Sequence, residues 1–492
     1  MPERGGKRKD DKRAPPGAHP ATRPGGVKRP GPGGGPAAGG ARAGAGGRPR
    51  GEGGRGGKPP AQSGARPART KSAGPQMVPG PAGSALRVVL QRGKSKPFWV
   101  GHPWLFSGAI DKVEGPVGDT GGPCTVEDER GNPLGWGYYN PIGQIAVRIY
   151  WHRRTTDLPF EVPPFGTLLR ERIAAAVRLR QAIGFPSADT NVYRVINAEG
   201  DLLPGLIVDR LGDVLSVQLN ARAMVAHRAE VLSALAEIIG ISNFVVAVTE
   251  TASKLEGLEA GQQLVGAAAF VNAPDGRQPT QVRERGLTYT VDLHALQKTG
   301  FYADQRENRQ RFAATTPGRT VLDGYCHLGG FGLAAARAGA KHVTQVDTSE
   351  PVIALARENA IANGLAGKTE ALVEDVIVYL KEAQAAGRTW ERVVIDPPKF
   401  AQSRAHLDDA LQKYARLNAL AIGAVAPGGL LLSCSCSRHV SEEDFGRMLT
   451  DAGHRLRRPV QLLEQWGQPA DHPSLSVAPE GRYLKAWLIA VG

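Results

Sequence analysis

Two acidic residues and a turn between them form the part of this chain best suited to bind a nucleotide cofactor. An apolar run ends at Asp323, the glycine-containing turn Gly324–Gly330 follows, and a second apolar run ends at Asp347. In doubly wound α/β sheets, ligands bind at the carboxyl ends of parallel strands, where glycines let the backbone approach the ligand and an acid accepts hydrogen bonds from a ribose. The segment predicts a site for an adenosine-containing cofactor, and by itself it does not separate NAD from S-adenosylmethionine (SAM).

A stiff acidic turn follows the next apolar run. Residues 393–395 are apolar and lead into Asp396, two prolines follow, and Phe400 lies four residues after the acid. The prolines remove two backbone donors and fix the turn. A carboxylate can bind the hydrogen-bonding edge of a flipped-out nucleobase while an aromatic ring stacks on its face. Because a dehydrogenase has no need of this pair, the turn favours SAM and a nucleobase substrate.

Thiols stand at the end of a third apolar run. Leu430–Leu432 leads into a short segment that carries Cys434 and Cys436, with His439 close behind. No second Cys/His pair follows, so the spacing does not predict a zinc site, and we expect no metal. Cys434 has the position of a small buried strand residue.

Taken together, these segments resemble the class I SAM-dependent methyltransferases of the PUA-domain group, which form 5-methylcytosine in 23S rRNA. Further matching segments are Gln297–Arg309, Asn359–Leu365 and Tyr483–Lys485. The resemblance extends from Leu86 to the C-terminus and does not include the first 83 residues. Several motifs in the family's order are far more specific than any one of them alone.

The resemblance implies SAM as the cofactor and assigns residues to it. Asp323, Gly329 and Gly330 are expected to line the methionine end, and Asp347 to bind the ribose hydroxyls. Asp375 has the position of an acid near the adenine amine. An acid after a strand is also an ordinary helix N-cap, so both interpretations of Asp375 stay open.

The resemblance also implies a reaction. C5 of cytosine is a poor nucleophile toward a sulfonium methyl group until a thiolate adds at C6. The family's nucleophile lies in a Ser-Cys-Ser-x-His context, which here makes Cys436 the candidate. Asp396 is expected to bind N3 and N4 of the cytosine, with Phe400 or Pro397 against the ring.

Two other functions remain open at this stage. An enzyme that methylates an exocyclic base nitrogen also uses SAM and an Asp/Asn-Pro-Pro motif, but it typically has an aromatic residue where this chain has Lys399. A non-catalytic RNA-binding ribosome assembly factor would lose the cofactor acids or the thiol, and this chain keeps them.

Nearly all the net charge lies in the first part of the chain. Residues 1–80 contain 17 Lys and Arg and 4 Asp and Glu, a net charge of +13 out of +14 for the whole chain. Gly, Pro, Ala and Arg dominate there, and such a composition cannot bury enough surface to offset its ordering entropy. We predict a disordered basic tail over residues 1–83. Loose RNA tethering, a solubilising role and a true start later in the chain are all compatible with it.

Short strands separated by Gly and Pro predict a small β-barrel over residues 84–160, which the resemblance identifies as a PUA-like RNA-binding domain. Arg92, Lys94 and Lys96 are its candidate RNA-binding residues. The nearby Trp104 and Phe106 suit either the barrel core or stacking on bases.

The rest of the chain predicts two domains that each contain helices and strands. Residues 161–284 predict a linker helix and an α+β middle domain, and residues 285–492 a Rossmann-like methyltransferase domain. Arg306 and Arg309 fall on a predicted helix. Arg306 is a candidate for RNA contact, and a solvated helix face explains it equally well.

The composition predicts a soluble cytoplasmic protein. Four cysteines in 492 residues do not make a disulfide framework, and the charged start runs into Pro and Gly without the apolar stretch of a signal peptide. No apolar run approaches the ~20 residues of a membrane helix. The expected partner is 23S rRNA or a large-subunit precursor; the sequence leaves the oligomeric state and the target nucleotide open.

Overall fold

The structure is a computed structural model that describes residues 75–78, 85–116, 118, 121–153, 159–266, 275–294, 296, 300–400 and 406–492. Residues 1–74 and 79–84, most of the predicted tail, lie outside the described residues, so their disorder stays a prediction. Three sheets and a separate hairpin organise the rest of the chain.

The first sheet contains seven strands around one apolar core. Its elements are β1 (Gln76–Val78), β2 (Leu86–Leu90), α1 (Lys96–Trp99), β3 (Trp104–Phe106), β4 (Ile110–Glu114), β5 (Gly122–Glu127), β6 (Pro133–Tyr139) and β7 (Ile145–His152). The strand order is β1-β4-β2-β5-β6-β7-β3. Six of the strands, β2 to β7, contribute side chains to the same core, as in a small barrel-like domain.

The ordered part of the chain begins earlier than predicted. Strand β1 pairs in parallel with β4, from Gln76 opposite Lys112 to Val78 opposite Glu114. Met77 and Val78 are apolar residues at the end of a region that otherwise has almost none. The tail boundary at residue 83 was therefore wrong for residues 76–78, which belong to the first sheet.

The second sheet has five strands in the order β12-β11-β10-β9-β8. Its region contains α2 (Phe165–Ala182), β8 (Val192–Asn197), β9 (Leu206–Leu211), β10 (Val214–Leu219), α3 (Arg222–Ala226), α4 (Arg228–Ile239), β11 (Phe244–Val248), α5 (Glu250–Glu256) and β12 (Gly261–Val265). Helices α2 and α4 pack on the strands through a shared apolar core. This is an α+β arrangement, because only β10 and β11 pair in parallel.

A hairpin and a third sheet complete the chain. The elements are β13 (Pro279–Glu284), β14 (Leu287–Asp292), α6 (Arg306–Ala313), β15 (Thr320–Gly324), α7 (Gly330–Arg337), β16 (His342–Asp347), α8 (Glu350–Ala362), β17 (Thr369–Val373), α9 (Val376–Ala385), β18 (Trp390–Ile395), α10 (Leu407–Ala424), β19 (Val425–Ser435), α11 (Glu442–Arg455), β20 (Val460–Trp466) and β21 (Lys485–Val491). The third sheet has the order β17-β16-β15-β18-β19-β21-β20, with the first five strands parallel.

The third sheet is buried on both faces at its centre. Val321 packs into one apolar core and Leu322, its neighbour on β15, into another on the opposite face. Parallel strands covered by helices on both sides show this continuous apolar sequence. The strand order reverses between β15 and β18, which is where doubly wound sheets bind their ligands.

A buried carboxylate joins the second and third sheets. Asp471 has no exposed surface and accepts hydrogen bonds from the backbone N–H of Arg194 on β8 and from the guanidinium of Arg306 on α6. Its own backbone carbonyl accepts a bond from Arg180 on α2. In the described parts of the chain, no helix is long and apolar enough to cross a membrane.

Candidate functional site

A cavity of 750 Å³ lies at the carboxyl ends of β15, β16 and β18. This volume is in the range of small-molecule and cofactor sites. Seven of the residues expected at the site line it: Gly330, Asp347, Asp375, Asp396, Pro397, Phe400 and Cys436.

Two glycines are required where β15 turns into α7. Gly329 has φ +84°, a left-handed conformation that side chains rarely adopt, and it forms the N-cap of the helix. A Cβ atom on Gly330 would lie 2.5 Å from Nε of Arg309. The glycines therefore let α6 and β16 approach the turn, which places the N-terminus of α7 at the cavity.

Asp323 lies beneath this turn, not at the cavity wall. Its side chain is buried, and Oδ2 accepts a hydrogen bond of 2.8 Å from the backbone N–H of Gly332. Burial raises the pKa of this carboxyl to about 7. Asp323 therefore fixes the first turn of α7 from below, and its expected place at the methionine end of the cofactor stays a prediction.

The other two cofactor acids are at the cavity. Asp347 ends β16, with Oδ2 accepting from the backbone N–H of His327 and Oδ1 from that of Ser349, each at 3.1 Å. Asp375 caps α9, and its Oδ1 accepts from the backbone N–H groups of Ile377 and Val378. The N-cap interpretation of Asp375 is confirmed, and its contact with adenine stays a prediction.

Asp396 is held by a residue that the sequence analysis passed over. Nε2 of Gln305 donates to Oδ2 of Asp396 at 3.0 Å, and Oε1 of Gln305 accepts from Asn308 at 2.6 Å. Gln305 is buried, so this orientation is fixed. The only signal in the sequence was its place inside the matching segment Gln297–Arg309.

The four cysteines differ in their access to the cavity. Cys124, Cys326 and Cys434 are buried, and burial raises the pKa of each thiol. Cys436 is half-buried and lines the cavity together with Asp396. Cys434 is thus a buried strand residue, as the sequence predicted, whereas the Cys436 side chain is partly exposed at the cavity.

The segment around Cys436 is anchored on both sides. The Tyr414 hydroxyl lies 3.0 Å from the hydroxyls of both Ser435 and Ser437. Nζ of the buried Lys485 donates to the backbone carbonyl of Ser437 at 3.1 Å. The Phe400 ring packs against Tyr414 with 4.7 Å between centroids, so Phe400 reaches the same site.

Arg306 does not contact RNA, contrary to one expectation from the sequence. It is 1 % exposed, and its guanidinium lies 2.7 Å from Oδ1 of Asp471 and 4.2 Å from the ring centroid of Phe185. Arg309 is likewise buried, with Glu284 at 2.9 Å. Both arginines are structural, because each would lose a buried partner if it turned outward.

The surface cations of the first sheet are available to a partner. Arg92, Lys94 and Lys96 are all exposed, next to α1. Their contact with RNA stays a prediction. Among the described residues, no group of His, Cys, Asp or Glu side chains is arranged to hold a metal ion.

Comparison with known proteins identifies the two ends of the ordered chain. Residues 88–151 match the PUA-like domain family, and residues 266–489 match the S-adenosylmethionine-dependent methyltransferase family. Ribosomal RNA large subunit methyltransferase I from Tolumonas auensis is 35% identical over 407 residues, which is 82% of this chain and 98% of that protein. The protein of the same name from Photobacterium profundum is 36% identical over 410 residues, or 81% and 98%. The chain belongs to the ribosomal RNA large subunit methyltransferase I family.

Solved structures agree with the fold of this family. A proposed SAM-dependent methyltransferase from Streptococcus mutans superimposes with a TM-score of 0.69 at 20% identity, covering 82% of this chain and 99% of that one. A structure with the same coverage and score contains S-adenosylhomocysteine (SAH). These comparisons confirm two predictions from the sequence. The chain combines a PUA-like domain with a Rossmann-like methyltransferase domain, and it belongs to the SAM-dependent class.

Proposed function

We propose that this protein methylates C5 of a cytosine in large-subunit ribosomal RNA, with Cys436 as the covalent nucleophile. The observation that carries this proposal is that Cys436, the one thiol of the four that is not buried, lines the cavity that also contains Asp347 and Asp396, where the other lining thiol, Cys326, is buried. The relatives' names support the rRNA substrate. The finer choice of cytosine C5 rests on the thiol and its chemistry.

The residues at the cavity fit the cofactor. Asp347 ends a parallel strand, where a carboxylate can accept bonds from two ribose hydroxyls, and Asp375 lines the same cavity and is proposed to lie near the adenine amine. Gly330 brings backbone N–H groups to the cavity at the start of α7. SAM, when bound, supplies a sulfonium methyl group that a carbon nucleophile can take.

Cys436 and Asp396 act on the base. The thiolate of Cys436 adds to C6 of the cytosine, which makes C5 an enamine-like carbon able to take the methyl group. Asp396 holds the N3 and N4 edge and stabilises the protonated adduct. Loss of the C5 proton to a base then returns the electron pair to the ring and expels the Cys436 sulfur from C6.

Neighbouring residues support these two roles. Lys485 places an ammonium group on the carbonyl of Ser437, one residue from the thiol, and a nearby cation favours a thiolate. Gln305 fixes the orientation of Asp396 through its amide. Arg92, Lys94 and Lys96 add phosphate contacts at the PUA-like domain, and the expected compartment is a reducing cytoplasm.

An RNA that contains 5-fluorocytosine tests the mechanism. The fluorine at C5 cannot leave as the proton does, so the wild-type protein with SAM should form an adduct that survives a denaturing gel. Cys436→Ala should bind SAM yet form neither adduct nor 5-methylcytosine. Cys434→Ala is the matched control and should retain both.

Four outcomes would contradict the proposal. Methylation by Cys436→Ala, or an adduct that disappears only in Cys434→Ala, would assign the nucleophile elsewhere. Methylation without any adduct would favour transfer to an exocyclic nitrogen. No methylation of RNA by the wild-type protein would favour a non-catalytic assembly factor.

A further inference from the structure

A second cavity, of 450 Å³, is lined by residues of the first two sheets and by loops that follow strands of the third. Trp104 and Arg148 come from the first sheet, and Gln218 from the second. Cys436 and Lys399 line both this cavity and the cofactor cavity. The two cavities therefore meet at the proposed nucleophile.

The second cavity has a largely buried cation in its wall, and this cation is neutralised. The Arg148 guanidinium is 3.1 Å from Glu199 and 2.7 Å from Glu256, and its side chain is 12% exposed. A phosphate approaching Arg148 would meet two carboxylates already bound to it. The part of the cavity around Arg148 therefore suits an uncharged ligand that forms hydrogen bonds more than it suits a phosphate group, while Lys399 and Arg438 are exposed cations of the same lining.

Side-chain amides supply such hydrogen bonds. Asn197, Gln218 and Asn220 line the cavity beside the Thr249 hydroxyl. Gln218 is 5% exposed, its Oε1 accepts from Asn220, and its buried Nε2 has no hydrogen-bond partner among the residues that the structure describes. Amides offer both donors and acceptors, which are the groups that recognise nucleobase edges.

An aromatic ring is fixed at the cavity. Nε1 of Trp104 donates to Glu199 at 2.9 Å, which holds the indole in place while the side chain stays half-buried. Phe106, two residues along the edge strand β3, packs edge-on against it at 6.3 Å and is 46% exposed. The two rings extend from the cavity to the surface, and such aromatic series stack on the bases of single strands.

We infer that this cavity holds a second nucleobase of the substrate RNA, a neighbour of the methylated one, stacked on Trp104. The inference rests on the proposed function, since a target base at Cys436 must leave its stack and its neighbour then loses a stacking partner. Trp104 replaces that partner, and the amide wall binds the edge of the same base.

Abasic substitution combined with a protein variant tests this inference. The RNA is the shortest large-subunit rRNA fragment that the protein binds, with each base removed in turn and Kd measured in the presence of SAH. For the wild type, removal of one base next to the target should weaken binding about tenfold. In Trp104→Leu the same removal should have little further effect, because the stacking partner is already gone.

Two further variants separate stacking from loss of structure. Trp104→Phe keeps an aromatic ring, so removal of the neighbouring base should still weaken its RNA binding almost as much as in the wild type. Gln218→Leu alters the amide wall and should also reduce the effect of the abasic site, whereas the same substitution at the exposed Gln281 on β13 should not. SAH affinity serves as the test of folding for each variant.

The outcomes distinguish this inference from the proposed function. If every abasic site weakens the wild type, Trp104→Leu and Gln218→Leu equally, the cavity does not hold a base, even when 5-methylcytosine forms. If the effect of the abasic site on Kd depends on Trp104 and Gln218 but no 5-methylcytosine forms, the second base site is supported and the proposed reaction is contradicted. A protein that binds no rRNA fragment would overturn both.

Discussion

Acids of the same type have different tasks at this site because their surroundings differ. Asp323 is buried under the α7 turn with one backbone donor, whereas Asp347 accepts two backbone bonds at the edge of the cavity. Burial raises the pKa of Asp323, although Arg309 and the bond from Gly332 act against it. Asp347 lines the cavity, so its carboxylate is the one placed to meet a ligand there.

Replacing Asp347 should weaken SAM binding specifically. Hydrogen bonds to a charged group contribute roughly 1.5–3 kcal/mol, so Asp347→Ala should reduce SAM affinity about tenfold or more. Titration calorimetry measures this loss. Glu370→Ala, an exposed acid on β17, is the control and should keep the wild-type affinity. An unchanged Kd in folded Asp347→Ala would remove this residue from the site.

Asp323 should make stability depend on pH in a specific direction. Its pKa is about 7 in the folded protein and is ordinarily 3.8, so between these values the folded state holds a proton that the unfolded state releases. Stability from this group is fully present below about pH 3.8 and is lost as the pH rises through 7. Tm should therefore fall across this window because of Asp323.

The variant Asp323→Asn removes the titrating group and can still accept the bond from Gly332. We expect its Tm to fall less between pH 4.5 and 7.5 than the Tm of the wild type, measured by differential scanning fluorimetry. Asp213→Asn alters an aspartate that is 93% exposed and should keep the wild-type slope. Equal slopes for wild type and Asp323→Asn would show that Asp323 does not titrate in this range.

At the scale of elements, the sequence predicted the strands that carry the site but not the surroundings of α6. The continuous apolar runs before Asp323, Asp347 and Asp396 could be recognised because a strand buried on both faces needs them. Helix α6 reads as a solvated helix, yet Arg306 and Arg309 are buried in it. Their partners, 165 and 25 residues away in the chain, are brought close only by the tertiary fold.

The close contact between α6 and α7 should make Gly330 intolerant of a side chain. A Cβ atom there would lie 2.5 Å from Nε of Arg309, which is itself held by Glu284 and by the carbonyl of Tyr302. Overpacking of this kind costs about 1–3 kcal/mol. Gly330→Ala should lower both Tm and SAM affinity.

The matched control is Gly367→Ala, where the new Cβ atom meets nothing within 4 Å. Thermal unfolding and SAM titration of the two variants, side by side, measure the effect of the contact. If Gly330→Ala is as stable as Gly367→Ala and binds SAM equally well, the prediction is wrong, because the Arg309 side chain can then move away from the new Cβ atom without loss of folding free energy.

At the scale of the whole molecule, net charge is concentrated in the first 74 residues of the sequence. Residues 1–74 contain 17 Lys and Arg and 4 Asp and Glu, which leaves a net charge of +1 for the remainder. Deleting residues 1–74 keeps strand β1 and should weaken RNA binding by releasing fewer counterions.

The measurement is the dependence of log Kd on log salt concentration for one rRNA fragment. The truncated protein should show a flatter slope than the full chain while it modifies the same nucleotide. The same slope in both proteins would mean that the basic segment is not bound in the complex.

The carboxylate of Asp471 has a consequence for how the molecule unfolds. It accepts from Arg306 on α6 and from the backbone of Arg194 on β8, and all three groups are buried. Pulling the second and third sheets apart would break the bonds that the backbone N–H of Arg194 and the guanidinium of Arg180 donate to Asp471, and each buried polar group left without its partner costs about 1–3 kcal/mol. Subglobal opening at this junction is therefore disfavoured, and the two sheets should belong to a single cooperative folding unit.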